Sequence, residues 1–153
     1  WRVGYMTIPA LLWDAANKIQ DTLLVCPPAV SQHAALAAAR VGAAYAGPHV
    51  EALNRTRATI HRELTRANVP CDVPASDGAF YYFVRVHSSL DPLRLVERLI
   101  REHRVAVMPG SAFGATRDCF LRVSYGALDE RTAAEGIGRL TSGLRAIVGA
   151  ASR

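Results

Sequence analysis

The chain has 153 residues, half of them hydrophobic, which is the length of one ordinary domain and enough apolar material for a core, so a disordered tail is excluded. No apolar run approaches the roughly 18 to 20 residues of a membrane span, and no basic segment followed by an apolar one opens the chain as a secretory leader would. The net charge is +5, but Lys18 is the one lysine, and the arginines are dispersed among acids, as in Arg62-Glu63 and Arg101-Glu102, which reads as a solvated surface and not as a nucleic-acid footprint.

Trp1 stands where a start methionine would, and the opening Trp1-Arg2-Val3-Gly4-Tyr5-Met6 reads as the middle of a longer chain, so a fragment is expected. Residues 1–8 are rich in aromatic and β-branched side chains and stop at Pro9, the pattern of a strand followed by a helix with proline in its first turn. In that helix Leu12, Ala15, Ala16 and Ile19 recur at helical spacing. Cys26-Pro27-Pro28 interrupts, and a second helix follows with Val30, Ala34, Ala37 and Val41 on one face and residues 42–48 marking its end. From Pro48 a longer helix is predicted. Val50, Leu53, Arg57, Ile60, Leu64 and Ala67 step by three and four, and Glu51, Arg55, Arg62 and Arg66 lie opposite.

Residues 68–78 carry proline, aspartate and glycine and read as a loop, and residues 79–86 alternate well enough for a strand. Asp91-Pro92 is an acidic N-cap with proline at the first helical position, followed by a stripe of Leu93, Val96, Ile100 and His103, with Arg94, Arg98 and Arg101 on the wetter side. Residues 105–108 form a short predicted strand closed by Pro109-Gly110, and residues 119–125 form another after a loop containing Gly114. On that last strand Phe120, Arg122 and Ser124 share one face, and Leu121, Val123 and Tyr125 the other. Asp129 caps a final helix with Ala133, Ile137, Leu140, Leu144 and Val148 at helical spacing and Gly149 near its end.

These elements predict a small sheet covered by helices, an α/β or α+β layer. The part before Pro48 has too few strands to close a domain, so a boundary is placed between residues 1–47 and 48–153. Cys26, Cys71 and Cys119 are far apart and form no C-x-x-C pair, so reduced, mostly buried thiols are expected. The five histidines have no ligand spacing, and no metal is expected. Ser31, Gln32 and His33 begin a helix as capping or surface groups and receive no functional assignment.

The loop Pro109-Gly110-Ser111-Ala112-Phe113-Gly114 lacks the G-x-G-x-x-G spacing of a dinucleotide site and, alone, is a glycine-containing turn after a strand. In order with Trp1-Arg2-Val3-Gly4-Tyr5, with Gly78-Ala79-Phe80-Tyr81, with the preceding Val107-Met108 and with Leu121-Arg122-Val123-Ser124-Tyr125, it resembles the successive signatures of class I/II aminotransferases, pyridoxal-phosphate-dependent enzymes of fold type I. The four segments span nearly the whole chain.

The resemblance implies the C-terminal part of that fold, with residues 1–47 as the incomplete end of the large cofactor-binding domain and residues 48–153 as the small C-terminal domain, beginning with the inter-domain helix. It implies pyridoxal 5'-phosphate as cofactor, with Arg2 holding its phosphate, and Arg122 pairing with the α-carboxylate of an amino-acid substrate. Arginine suits both tasks, since it offers a permanent charge and several fixed donors to a phosphate or carboxylate. Tyr5, Gly78, Phe80 and Phe113 would lie near the site without an assigned ligand role.

The Schiff-base lysine and the acid that meets the pyridine nitrogen are expected upstream of Trp1. Lys18 falls on the wrong side of Arg2, with Asp14 and Asp21 nearby, and is no substitute, so the fragment alone is expected to be inactive. The intact protein would be a cytoplasmic homodimer that exchanges an amino group between an amino acid and a 2-oxo acid, with no nucleic-acid or membrane partner. Two further readings stay open: another fold-type-I enzyme, such as a β-lyase or an acyl-transferring synthase, and an aminotransferase-like effector domain of a transcription regulator.

Overall fold

The computed structural model describes residues 2–66 and 68–151, with backbone only at 150 and 151, so Trp1 of the opening motif and Ala67 of the long-helix stripe lie outside the described residues. The chain divides into two units, one ending at Pro48 and one beginning at His49.

In the first unit, residues 2–9 form no regular structure, which corrects the strand expected there. A strand needs a neighbour for its N–H and C=O groups, and every described strand lies later in the chain. A short 3-10 turn, Ala10–Leu12, leads into helix α1, Trp13–Leu23, and the Cys26-Pro27-Pro28 break separates it from α2, Ala29–Val41. Gly42 ends α2 at φ +64°, with its N–H bonded to the Ala38 carbonyl. The apolar stripes of these helices are not buried: Leu12, Ile19, Val30 and Val41 are exposed, and Ser31 is the one described residue of α1 and α2 that is buried.

Helix α3 runs from Ala43 to Leu64, so the long helix begins before Pro48 and not at it. Pro48 inside the helix gives up its own N–H bond and crowds the carbonyl one turn back, a cost set against alanines ahead of it that are the best helix formers. Ile60 and Leu64 are buried with Thr56 and Thr59, whereas Val50 is exposed.

The sheet holds four strands in the order β1-β2-β4-β3, all neighbours antiparallel: β1 Cys71–Asp72, β2 Tyr81–Val86, β3 Met108–Pro109 and β4 Phe120–Ser124. The two-residue β1 lies inside the segment read as loop, and β3 is shorter and later than the strand expected over 105–108. Alternation decides the core face: Tyr82, Val84 and Val86 of β2 and Leu121 and Val123 of β4 are buried. They form one core with Leu95 and Leu99 of α4, Pro92–His103, and with Leu140, Leu144 and Ile147 of α5, Glu130–Ala151.

Both cap expectations hold. Asp91 accepts from the N–H groups of Leu93 and Arg94, and Asp129 accepts from that of Thr132 at 2.7 Å. The spaced apolar residues of α5 are all buried, and the helix runs past Gly149 to Ala151. In α4 the buried set is Leu95, Val96 and Leu99, while Leu93 and Ile100 of the expected stripe are exposed. At about 100° per residue both sets include Val96 on their shared border, and contact with α5 decides between them. Leu99 and His103 lie against Gly143 so closely that a Cβ there would come within 2.7 Å of Leu99 Cδ2. The three thiols are unpaired, with Cys119 buried and Cys71 partly so, and only Cys26, which is exposed, departs from the expected burial.

Candidate functional site

The face of the sheet turned away from the core carries Tyr81, Phe83 and Arg85 of β2 and Phe120, Arg122 and Ser124 of β4. Register sets Phe83 opposite Arg122 on one side and Met108 of β3 opposite it on the other. Phe83 stacks on Phe120, centroids 5.0 Å apart and planes 8° from parallel. Phe113 meets Phe83 edge-on at 6.2 Å and 88°.

Phe113 reaches this face because the chain turns tightly after β3. Gly110, at the start of a 3-10 turn that ends at Phe113, passes so near β4 that a Cβ would lie 2.4 Å from Phe120 Cβ and 2.9 Å from its carbonyl oxygen. Gly114 then takes φ +84°, left-handed backbone that glycine adopts without steric cost, and its N–H closes onto the Ser111 carbonyl. The two glycines of the Pro109–Gly114 loop thus act by close approach and by conformation.

Arg122 sits in the middle of these rings. Its guanidinium carbon lies over the Phe113 ring, 4.5 Å from the centroid, and over the Tyr81 ring at 5.6 Å. Its Nε is buried and has no hydrogen-bond partner, and among the described residues no acid forms an ion pair with it. Arg85 on the same face is engaged instead, with Asp118 at 3.1 Å and Asp72 at 3.9 Å. A buried charged donor left unmet costs free energy, which ring faces offset only in part. With no acid paired to it among the described residues, the Arg122 guanidinium has the charge and N–H groups to meet an incoming carboxylate.

Of the other residues singled out, Phe80 is exposed and lies edge-on to Tyr81 at 5.8 Å, and Gly126 passes close against it. Gly78 has no neighbour within 4 Å of a built Cβ. In the first unit Arg2 is exposed with no ion pair to a described residue, Tyr5 is 96% exposed, and Lys18 is exposed on α1, with its carbonyl accepting from the Thr22 hydroxyl. An exposed arginine offers a permanent charge and several donors that fit a phosphate.

The parts that sequence reasoning missed are the contacts of Tyr81 and Phe113 with Arg122 and the Phe83–Phe120 stack. Alternation already set Phe83 on the face of Tyr81, but pairing it with Phe120 needs the register. Elsewhere on the second unit a cleft of about 480 Å³ is lined by His49, Arg55, Thr56, Asp129 and Glu130. Its two acids are engaged by the Thr132 N–H and the Thr59 hydroxyl. Among the described residues no group of three or more His, Cys, Asp or Glu could hold a metal ion, and no helix is long and apolar enough to cross a membrane.

Comparison with known proteins adds to this geometry. The family model for aminotransferase class I and II matches residues 1–140. The chain is 34% identical over 131 residues to an aspartate aminotransferase of Thermotoga maritima, covering 86% of this chain and 32% of that protein. It is 31% identical over 136 residues to an aspartate aminotransferase of Pyrococcus abyssi, covering 86% and 34%. The crystal structure of an aromatic aminotransferase from Pyrococcus horikoshii OT3 superposes with a TM-score of 0.72 at 26% identity, over 90% of this chain and 37% of that one. The chain therefore spans about a third of the length of the curated relatives it matches.

Proposed function

This chain belongs to the aminotransferase class I and II family, and on that premise we propose that the whole protein is a pyridoxal-phosphate-dependent transaminase exchanging an amino group between an amino acid and a 2-oxo acid. Its helices and small antiparallel sheet match the C-terminal part of such enzymes. We assign residues 1–47 to the end of the cofactor-binding domain and 48–153 to the small domain.

The observation that carries the reading is Arg122, a guanidinium lying over aromatic rings with a buried Nε that has no partner. Such a fork accepts a carboxylate through two parallel N–H···O bonds. The α-carboxylate is the group that amino acids and 2-oxo acids share, so one arginine serves both halves of the exchange. Arg2, exposed and without an ion pair to a described residue, would donate to the cofactor phosphate. When bound, pyridoxal phosphate supplies the electron sink that lets the amino-bearing carbon lose its proton.

An amine must carry that proton. Lys18, the one lysine of these 153 residues, is a solvated group on α1 and does not fit the task. The reading therefore places the lysine in the remainder of the protein and takes the 153-residue chain alone to be inactive. The relatives' names speak of aspartate and of aromatic amino acids, and Arg122 would engage the carboxylate of either alike. A cytoplasmic homodimer completes the proposal.

The test is an absorbance scan with pyridoxal phosphate on this chain and on a version extended upstream through the expected lysine. A borohydride-reducible visible band in the extended protein alone is the expected result. Absence of a band from both would replace the reading with a cofactor-free domain.

A further inference from the structure

A guanidinium carries its donors around its edge, and a carboxylate pairs with two of them only when the group is held in one orientation. On a long, flexible side chain that orientation must come from neighbours. For Arg122 they are aromatic. Phe113 is the nearer ring, at 4.5 Å, and it is fixed by something other than the arginine. Its edge contact is Phe83, Phe83 stacks on Phe120, and Phe120 lies on β4 two positions before Arg122 itself. The rings thus run from β4 through β2 to the turn after β3, and Gly110 packed on Phe120 sets how near that turn comes.

We propose that Phe113 is a positioning residue for the carboxylate site: its ring, buttressed by Phe83 and Phe120, holds the Arg122 guanidinium so that its edge donors are presented together to a carboxylate. The proposal rests on the reading of Arg122 given above. It requires an aromatic ring at position 113 and not merely apolar volume, because a cation is drawn to a ring face by the ring's quadrupole.

The experiment uses the full-length holoenzyme and 4-methylpentanoate, a carboxylate with no amino group to react, no ring and no second charge, titrated calorimetrically. Phe113→Leu is expected to raise Kd roughly 3- to 30-fold, and Phe113→Tyr to stay within about twofold of wild type, with the urea midpoint and the cofactor absorbance of both unchanged. Arg122→Gln is expected to lose binding. If Phe113→Leu binds as wild type while Arg122→Gln does not, the positioning role falls and the carboxylate reading stands. Equal weakening by Leu and Tyr also overturns it, since packing alone would then be at issue. Wild-type affinity in Arg122→Gln, or no binding by the wild type, overturns both. Should Phe113→Leu not fold, Phe83→Leu removes the buttress while leaving the Phe113 ring in place, and an unchanged Kd there counts against the proposal.

Discussion

Arg85 and Arg122 sit on the same face of one sheet and have opposite surroundings. Arg85 bridges Asp118 and Asp72 in solvent, an arrangement that stabilises little. Arg122 has rings instead of acids, which is why its charge is available to a ligand. The cysteines show the same dependence on surroundings. Burial, with smaller contributions from Asp72 and Asp91 respectively, pushes the Cys71 and Cys119 thiols up to about 11. A raised thiol value means less thiolate, the reactive form, at any given pH below it; at pH 8 only about one molecule in a thousand would be ionised at each. Cys26 is exposed. Titration of the native chain with a disulfide reagent at pH 8 should therefore show one fast sulfur and two slow ones, and three fast ones in denaturant. Two or three fast thiols in the native chain would contradict the burial of Cys71 and Cys119.

At the level of elements, the turn between β3 and β4 is the part that the site depends on most. Its Gly110 faces Phe120 backbone and Cβ at distances no side chain can share, so Gly110→Ala has to move the turn or the strand. Overpacking of this kind costs on the order of 1–3 kcal/mol, and a urea melt of the chain should show that loss. An unchanged midpoint would mean that the turn yields freely, and the positioning of Phe113 would lose its anchor. Local signals made much of this legible in the sequence. The Asp91 and Asp129 caps, the α5 stripe and the two faces of β4 follow from chemistry within a few residues. What was misread depends on partners distant in sequence. The strand expected over 1–8 has no described neighbour to pair with, α4 turns Leu99 inward against Gly143 of α5, and two-residue strands carry no alternation to read. At the site, Arg122 was found by resemblance to a family, whereas its ring contacts became visible only with the register of β2 against β4.

The whole molecule is uneven in how its parts are supported. The unit from His49 onward has a core that joins three helices to one face of a sheet, with Val84, Leu95, Leu99, Leu121, Leu144 and Ile147 fully buried. The unit up to Pro48 has Ser31 as its one buried described residue, while Leu11, Trp13, Leu23, Val30 and Leu36 are exposed. Helices of 11 and 13 residues, such as α1 and α2, are marginal in water without tertiary packing of an apolar face. A surface that apolar is of the kind normally covered in a folded protein, and the proposed cofactor-binding domain would supply the cover. Hydrogen exchange reads this directly, since local opening sets the protection of each helix. In the 153-residue chain, amides of α1 and α2 should exchange with little protection, while those of β2, β4 and α5 should approach the protection set by global unfolding. In the full-length protein the first two helices should join the protected set. If α1 and α2 were already as slow as α5 in the short chain, their stability would be intrinsic, and the assignment of residues 1–47 to a larger domain would lose its physical support.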